Sequence, residues 1–144
     1  MKIATMPDTP LSREELLAQP AEAYMNESQR AYFRDLLERQ REELRRHIDA
    51  EFGALREVEP ASDEIDLASR EEQRLWQLRL LEREKRLLDK IDEALSRIAR
   101  GEYGWCEESG DPIGLRRLLL RPTATLCLEA KQRQELQERH QRPA

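Results

Sequence analysis

Glycine is scarce in this chain, with five in 144 residues. An all-β chain spends glycine on its many turns, so this count argues against sheet architecture. Aromatic residues make up only 5% of the chain, against 38% charged residues. That balance suits long exposed helices better than one large compact core. Two cysteines, Cys106 and Cys127, are too few for a disulfide framework, and as cytoplasmic thiols they are expected to be reduced. No apolar run approaches the roughly 20 residues needed to span a bilayer. The first ten residues, M-K-I-A-T-M-P-D-T-P, lack the apolar stretch of a signal peptide, so a cytoplasmic location is expected. Neither charge sign dominates: 25 basic and 30 acidic residues leave a net charge of −5. A protein that blankets nucleic-acid phosphates would be basic, although a local basic pocket is still allowed. There is no glycine-rich phosphate loop, no G-x-S-x-G and no H-E-x-x-H motif, so no intrinsic enzyme is expected.

What the sequence does hold is helical periodicity, which predicts an all-α fold. Three of the seven prolines lie in residues 1–25, an arm expected to pack on a small base. Ser12 and Glu15 form a capping box for a short helix ended by Pro20. Asn26 and Gln29 begin a long helix running to about Leu55. Its apolar stripe is Phe33, Leu36, Leu37, Leu44, Ile48, Phe52 and Leu55. A second long helix begins at a Ser69/Glu72 capping box or nearer Asp63. Its stripe is Leu75, Leu78, Leu81, Leu88, Ile91, Leu95 and Ile98, with the seven-residue steps of a coiled coil. Gly101 after Arg97 and Arg100 stops it. The short connection between the helices predicts an antiparallel coiled-coil hairpin over 26–100. The acidic stretch 61–72 would form its tip. Residues 101–144 would hold a turn-rich segment, the short apolar run Ile113–Leu120, an R-P-T-A loop and a helix from about Cys127 to His140. The tail Arg142–Pro143–Ala144 is expected to fray.

Three constellations could carry chemistry. Cys106/Ser109 and Cys127/Ala130 stand at the spacing of paired Cys-x-x-Cys knuckles. Serine is a poor zinc ligand at neutral pH and alanine is none, so this reads as a degenerate knuckle that folds without metal. Trp105, Ile113, Leu115, Leu118 and Leu126 would supply the packing instead. Asp63 can cap the second long helix, with Glu64, Glu71 and Glu72 complementing its N-terminal dipole, or Asp63 and Asp66 can face a metal ion or basic groups in a partner's cleft. Arg83, Lys90, Arg121 and Lys131 could bind an anion if they converge; scattered cations more often form a solvated face. His47 and His140 read as solvated helix residues.

Several stretches together resemble the DksA family of RNA polymerase-binding transcription factors. They are Tyr24-Met25-Asn26-Glu27, the D-x-x-D-x-A set Asp63/Asp66/Ala68, Gly104-Trp105-Cys106, Ile113-Gly114-Leu115-Arg116-Arg117-Leu118, and Arg121-Pro122-Thr123-Ala124 followed by Leu126-Cys127. The resemblance covers residues 24 to 134. Loss of two knuckle cysteines is similar to the zinc-independent, Pseudomonas-type branch of that family.

The resemblance implies a coiled coil that enters the polymerase's secondary channel. Asp63, Asp66 and Ala68 would act near the catalytic centre to destabilise open promoter complexes. Ribosomal RNA promoters would be inhibited and some amino-acid biosynthesis promoters activated. It also implies binding of the alarmone ppGpp at the polymerase interface through Leu87, Lys90, Arg121 and Lys131, supported by Arg83. Zinc would not be required, and the chain would act as a monomer without sequence-specific DNA binding. The runner-up is a secondary-channel factor that aids transcript cleavage. A zinc-ribbon nucleic-acid adaptor is a third reading, disfavoured by the missing ligands and the negative charge.

Overall fold

The computed structural model describes residues 11–56 and 63–141. Its helices are α1 (Arg13–Ala18), α2 (Glu27–Arg56), α3 (Glu64–Arg100), α4 (Leu115–Leu120) and α5 (Leu128–Gln141), with a 3-10 turn at Ala21–Ala23 before α2. Among the described residues there is no strand, only an isolated antiparallel bridge between Trp105 and Pro112. The fold is all-α, as the periodicity predicts. The described residues fall into two compact units. One comprises those up to Leu37 and from Glu93 onward, and the other is Glu38–Asp92. The division falls within both long helices. The ends of the chain expected to be an arm and a frayed tail, residues 1–10 and 142–144, lie outside the described residues, as do Ala61 and Ser62 of the acidic stretch.

The local signals at the first two helix starts act as the sequence predicts. Ser12 Oγ accepts from Glu15 N at 3.1 Å and caps α1. Asn26 Oδ1 accepts from Gln29 N at 2.9 Å, which caps α2. The reciprocal bond differs from a simple capping box: Gln29 Oε1 accepts from Met25 N at 2.8 Å, one residue before the cap. Gln29 is buried, and its Nε2 donates to Gln19 Oε1 at 2.8 Å, so α1 and the start of α2 are locked together. At α3 the Ser69/Glu72 box is not used. The helix begins at Glu64, and Asp63 Oδ1 accepts from Asp66 N at 2.7 Å. Ser69 is therefore interior, because an aspartate cap six residues earlier already satisfies the first free N–H groups.

In the Glu38–Asp92 unit, α2 and α3 pair antiparallel. Arg41 Nε donates to Asp92 Oδ1 at 2.5 Å, and His47 Nε2 contacts Glu84 Oε1 at 2.9 Å. Moving forward along α2 moves the contact backward along α3, which fixes the direction. Ile48, Leu81 and Ile91 are buried in the seam. The predicted stripe is only partly buried. Phe52, Leu75 and Leu78 are exposed, with Leu75 at 52%. Continuing the observed register at 1.5 Å per residue sets the end of α2 opposite about residue 76. Nothing of α2 then faces the first three turns of α3, so apolar residues there have no helix to pack against.

Glu84 sits within this seam at the coiled-coil spacing of Leu81, Leu88 and Ile91. One carboxylate oxygen meets His47, and the other is buried without a hydrogen-bond partner. His47 is therefore a contact residue of the seam, though it remains exposed.

In the other unit, Leu16, Met25, Phe33, Leu37, Ala94, Ile98, Tyr103, Ile113 and Leu118 form the core. Phe33 and Tyr103 rings lie 5.5 Å apart, and Tyr103 Oη donates to Pro122 O at 2.7 Å. Burial pushes the Tyr103 phenol far above its usual range. Trp105 does not fill the core as predicted: it is 38% exposed and stands edge-on to Tyr24 at 5.2 Å. Tyr24 Oη in turn donates to Gly104 O at 2.5 Å and accepts from Gly114 N at 2.9 Å. Gly104 has φ 91°, and a Cβ added there would lie 2.8 Å from the Met25 Cγ and Sδ atoms.

Two stability predictions follow from this packing. Gly104→Ala combines an unfavourable backbone conformation with a clash, and is expected to destabilise by about 2–4 kcal/mol in urea unfolding. Glu84→Leu removes an unpaired buried oxygen at a seam position, and is expected to raise the unfolding midpoint despite losing the His47 contact. A lowered midpoint would show that the His47–Glu84 pair outweighs the desolvation of Glu84.

Candidate functional site

The acidic residues at the start of α3 have divided roles. Asp63 is committed to the helix cap. The Asp66 carboxylate, one turn on, is exposed and has no partner among the described residues. Ala68 and Leu67 beside it are also exposed. Asp63 thus positions the backbone, and Asp66 is the carboxylate free to meet another molecule.

The predicted anion-binding residues fall into two sets. Arg83, Leu87 and Lys90 are exposed along one face of α3, at steps of four and three, in the Glu38–Asp92 unit. Arg121 and Lys131 belong to the other unit. Arg121 is the C-cap of α4, and its side chain lies on the wall of a 670 Å³ groove floored by Ile113, Leu115, Leu120 and Leu128. Lys131 is half-buried on α5, and its Nζ donates to Gln134 Oε1 at 3.2 Å. Neither Arg83, Lys90 nor Arg121 forms an ion pair among the described residues, so their charges are available.

The knuckle positions come together. Ser109 Oγ lies 3.8 Å from Cys127 Sγ, and it also accepts from Asp111 N at 3.3 Å. Cys106 is buried. Burial pushes its thiol up, but hydrogen bonds from the Ser109 side chain and from the backbone N–H groups of Cys127, Ser109 and Glu108 outweigh this and lower it to about 6. The fourth position, Ala130, is completely buried and offers a methyl group. Two carboxylates next to Cys106 are engaged elsewhere. Glu107 pairs with Arg97, and Glu108 lies 3.5 Å from Arg133. Among the described residues no group of three or more His, Cys, Asp or Glu could hold a metal ion. The donor set of two thiols, a hydroxyl and a methyl does not fit a tetrahedral four-cysteine zinc centre.

Sequence reasoning missed the role of Arg97, which it named only as a basic residue before the Gly101 stop of α3. Its guanidinium is buried. Besides the Glu107 pair, Nη2 donates to Glu102 O at 3.2 Å and to Trp105 O at 3.1 Å. The signal lay in the turn-rich segment directly after the helix, whose carbonyls needed donors.

With this geometry in place, the comparisons with known proteins are informative. The family model described as the DnaK suppressor protein DksA N-terminal domain matches residues 29–98. The model described as the prokaryotic dksA/traR C4-type zinc finger matches residues 101–136. A Caulobacter vibrioides protein named RNA polymerase-binding transcription factor DksA is 44% identical over 119 residues, covering 82% of this chain and 84% of the relative. The Escherichia coli protein of the same name is 40% identical over 121 residues, covering 83% and 80%. A solved structure titled as transcription factor DksA2 from Pseudomonas aeruginosa superposes with a TM-score of 0.83 at 73% identity, over 90% of this chain and 100% of that one. The chain belongs to the DksA family.

The Cys106 thiol carries a pH prediction. Its folded pKa of about 6 lies below the ordinary thiol value of 9.0. For an acid lowered on folding, the added stability is complete above the unfolded value and is lost as pH falls through the folded one. Stability should therefore rise from pH 6 to pH 9, and the rise should shrink in Cys106→Ser. Thiolate absorbance near 240 nm should titrate at about 6. Parallel pH profiles for the two proteins would show that Cys106 stays protonated.

Proposed function

We propose that this chain is a regulator that binds RNA polymerase through its secondary channel and changes the lifetime of open promoter complexes. The reading is supported by the 44% identity to a protein named for polymerase binding. The structural observation that carries it is the exposed Asp66 carboxylate in the first turn of α3, which has no partner among the described residues, with Asp63 committed to holding the helix start. An unpaired acid on a helix start can approach the metal ion or basic loops of a catalytic centre without first breaking contacts of its own. Ribosomal RNA promoters, with short-lived open complexes, would be inhibited, and some amino-acid biosynthesis promoters activated, as in the stringent response. The chain would act as a monomer in the cytoplasm, where polymerase is.

The alarmone ppGpp would be the effector, held between chain and polymerase by Arg83, Leu87, Lys90, Arg121 and Lys131. Unpaired guanidinium and ammonium groups suit its phosphates through charge-assisted hydrogen bonds. By linkage, ppGpp would tighten polymerase binding by the factor by which polymerase tightens ppGpp binding. Zinc would not be needed, because the knuckle lacks a fitting donor set and is held by hydrogen bonds to Cys106 and by packing of Ile113 and Leu118.

In vitro transcription from a ribosomal RNA promoter in chelator tests this reading. Inhibition by the chain should deepen with ppGpp and fall at least about tenfold in Asp66→Asn, since the free acid is the acting group. Inhibition that returns only on adding zinc would overturn the metal-free reading alone. Absence of inhibition together with stimulated transcript cleavage would favour a cleavage factor instead.

A further inference from the structure

The middle of α3 exposes more apolar surface than a solvated helix face needs. Trp76 is 61% exposed, one of two tryptophans in a chain poor in aromatics, and Leu80 and Leu87 are 37% and 45% exposed. These residues are not scattered. Trp76, Leu80, Arg83, Leu87 and Lys90 follow one another at steps of four, three, four and three, which sets them on a single face of the helix. The α2 helix does not cover that face: the buried seam residues Leu81 and Ile91 and the contacts of Glu84 and Asp92 lie on another. Arg79 borders the stripe one turn from Trp76 and Arg83. Neither it, Arg83 nor Lys90 has an ion-pair partner among the described residues.

An exposed Trp–Leu pair flanked by unpaired arginines has the composition of an interface anchor. Tryptophan and arginine dominate binding hot spots, and contiguous apolar surface rimmed by charge marks docking sites. The charge specifies the partner. Cationic groups without local counter-ions favour a surface that carries carboxylates around an apolar ridge. The face is also continuous with Arg83, Leu87 and Lys90, the residues placed above against polymerase and ppGpp.

We infer that Trp76 and Leu80, bordered by Arg79, form an anchor that packs on an acidic, apolar-ridged surface of RNA polymerase inside the channel. This deepens the proposed function and rests on it. In this arrangement Asp66 acts on the complex, while Trp76 and Leu80 hold the chain in place without taking part in the effect of Asp66.

Equilibrium binding of the fluorescein-labelled full chain to core RNA polymerase, read by anisotropy, separates the possibilities. Trp76→Ala and Leu80→Asn are each expected to raise Kd about tenfold or more, as hot-spot truncations do, and Trp76→Phe to stay within about threefold. Thermal unfolding should be unchanged in all three, because the side chains are exposed. Arg79→Glu should weaken binding more at low salt than at high salt. Asp66→Asn, by contrast, should lose inhibition in transcription while keeping most of its binding. A Kd within about twofold of the unaltered chain for both Trp76→Ala and Leu80→Asn would overturn the anchor and leave the proposed function standing. Failure of the unaltered chain to bind polymerase would remove the proposed function, and the anchor with it.

Discussion

The unit that contains the knuckle depends on one buried cation. Arg97 lies in the last turn of α3, and the chain turns back on itself immediately afterward. Its main-chain oxygen accepts from Glu102 N at 2.9 Å and Tyr103 N at 3.2 Å. Its guanidinium meets the carbonyls of Glu102 and Trp105 and the carboxylate of Glu107. A buried charge is stable only when paired and fully hydrogen-bonded, and here one planar fork satisfies three acceptors of a segment with no regular structure. This fixes the path of residues 102–107. Tyr103 is thereby directed inward to Phe33 and Pro122, and Cys106 is set facing Ser109 and Cys127. Removing only the guanidinium would leave Glu107 and two carbonyls without their donor.

In the proposed metal-free reading, the same constraint would help to hold a knuckle that keeps half of its ligands. A structural zinc ion does two things: it neutralises thiolates and it ties two loops together. In that reading the first task would fall to N–H and O–H donors around Cys106. The second falls to Glu107 N bonding Thr125 O at 2.9 Å, Arg117 Nε bonding Leu126 O at 3.1 Å, and Tyr103 bonding Pro122. Ala130 completes the exchange by filling the fourth corner with a buried methyl group, where a thiolate without metal would be costly.

Much of the fold was legible in the sequence because its signals are local. Ser12 and Asn26 cap, Gly101 stops α3, and the seven-residue steps report the seam from Leu81 onward. The reading went astray where two local signals competed or where the answer was not local. Ser69/Glu72 has capping-box spacing, but Asp63 already served the purpose. Leu75 fits the periodicity, yet its burial depends on where the other helix ends. Trp105 looked like core because it is large and apolar, whereas Tyr103 took that place through a long-range hydrogen bond to Pro122. Of the candidate site, Asp63 was legible as a helix cap, because an aspartate just before a helix start readily accepts a free backbone N–H. Trp76 and Leu80 carried no separate signal, since exposure of an apolar residue follows from the register of its neighbours.

That register ties the mechanical and chemical properties of α3 together. Asp66, Trp76 and Leu80 lie on one uninterrupted helix that α2 stops supporting at about residue 76. An α-helix fixes the rotation and rise between these residues, so an anchor at Trp76 sets the position of Asp66 to within side-chain freedom. A partner that engages the apolar face thus orders the carboxylate at little further entropic cost, because the backbone between them is already helical. The same positions on a loop would lose that freedom on binding, at about 1–2 kcal/mol for each residue ordered. Along this part of α3, Leu67, Leu75 and Trp76 are exposed. In the proposed arrangement the helix presents an acid and an apolar grip at a fixed spacing.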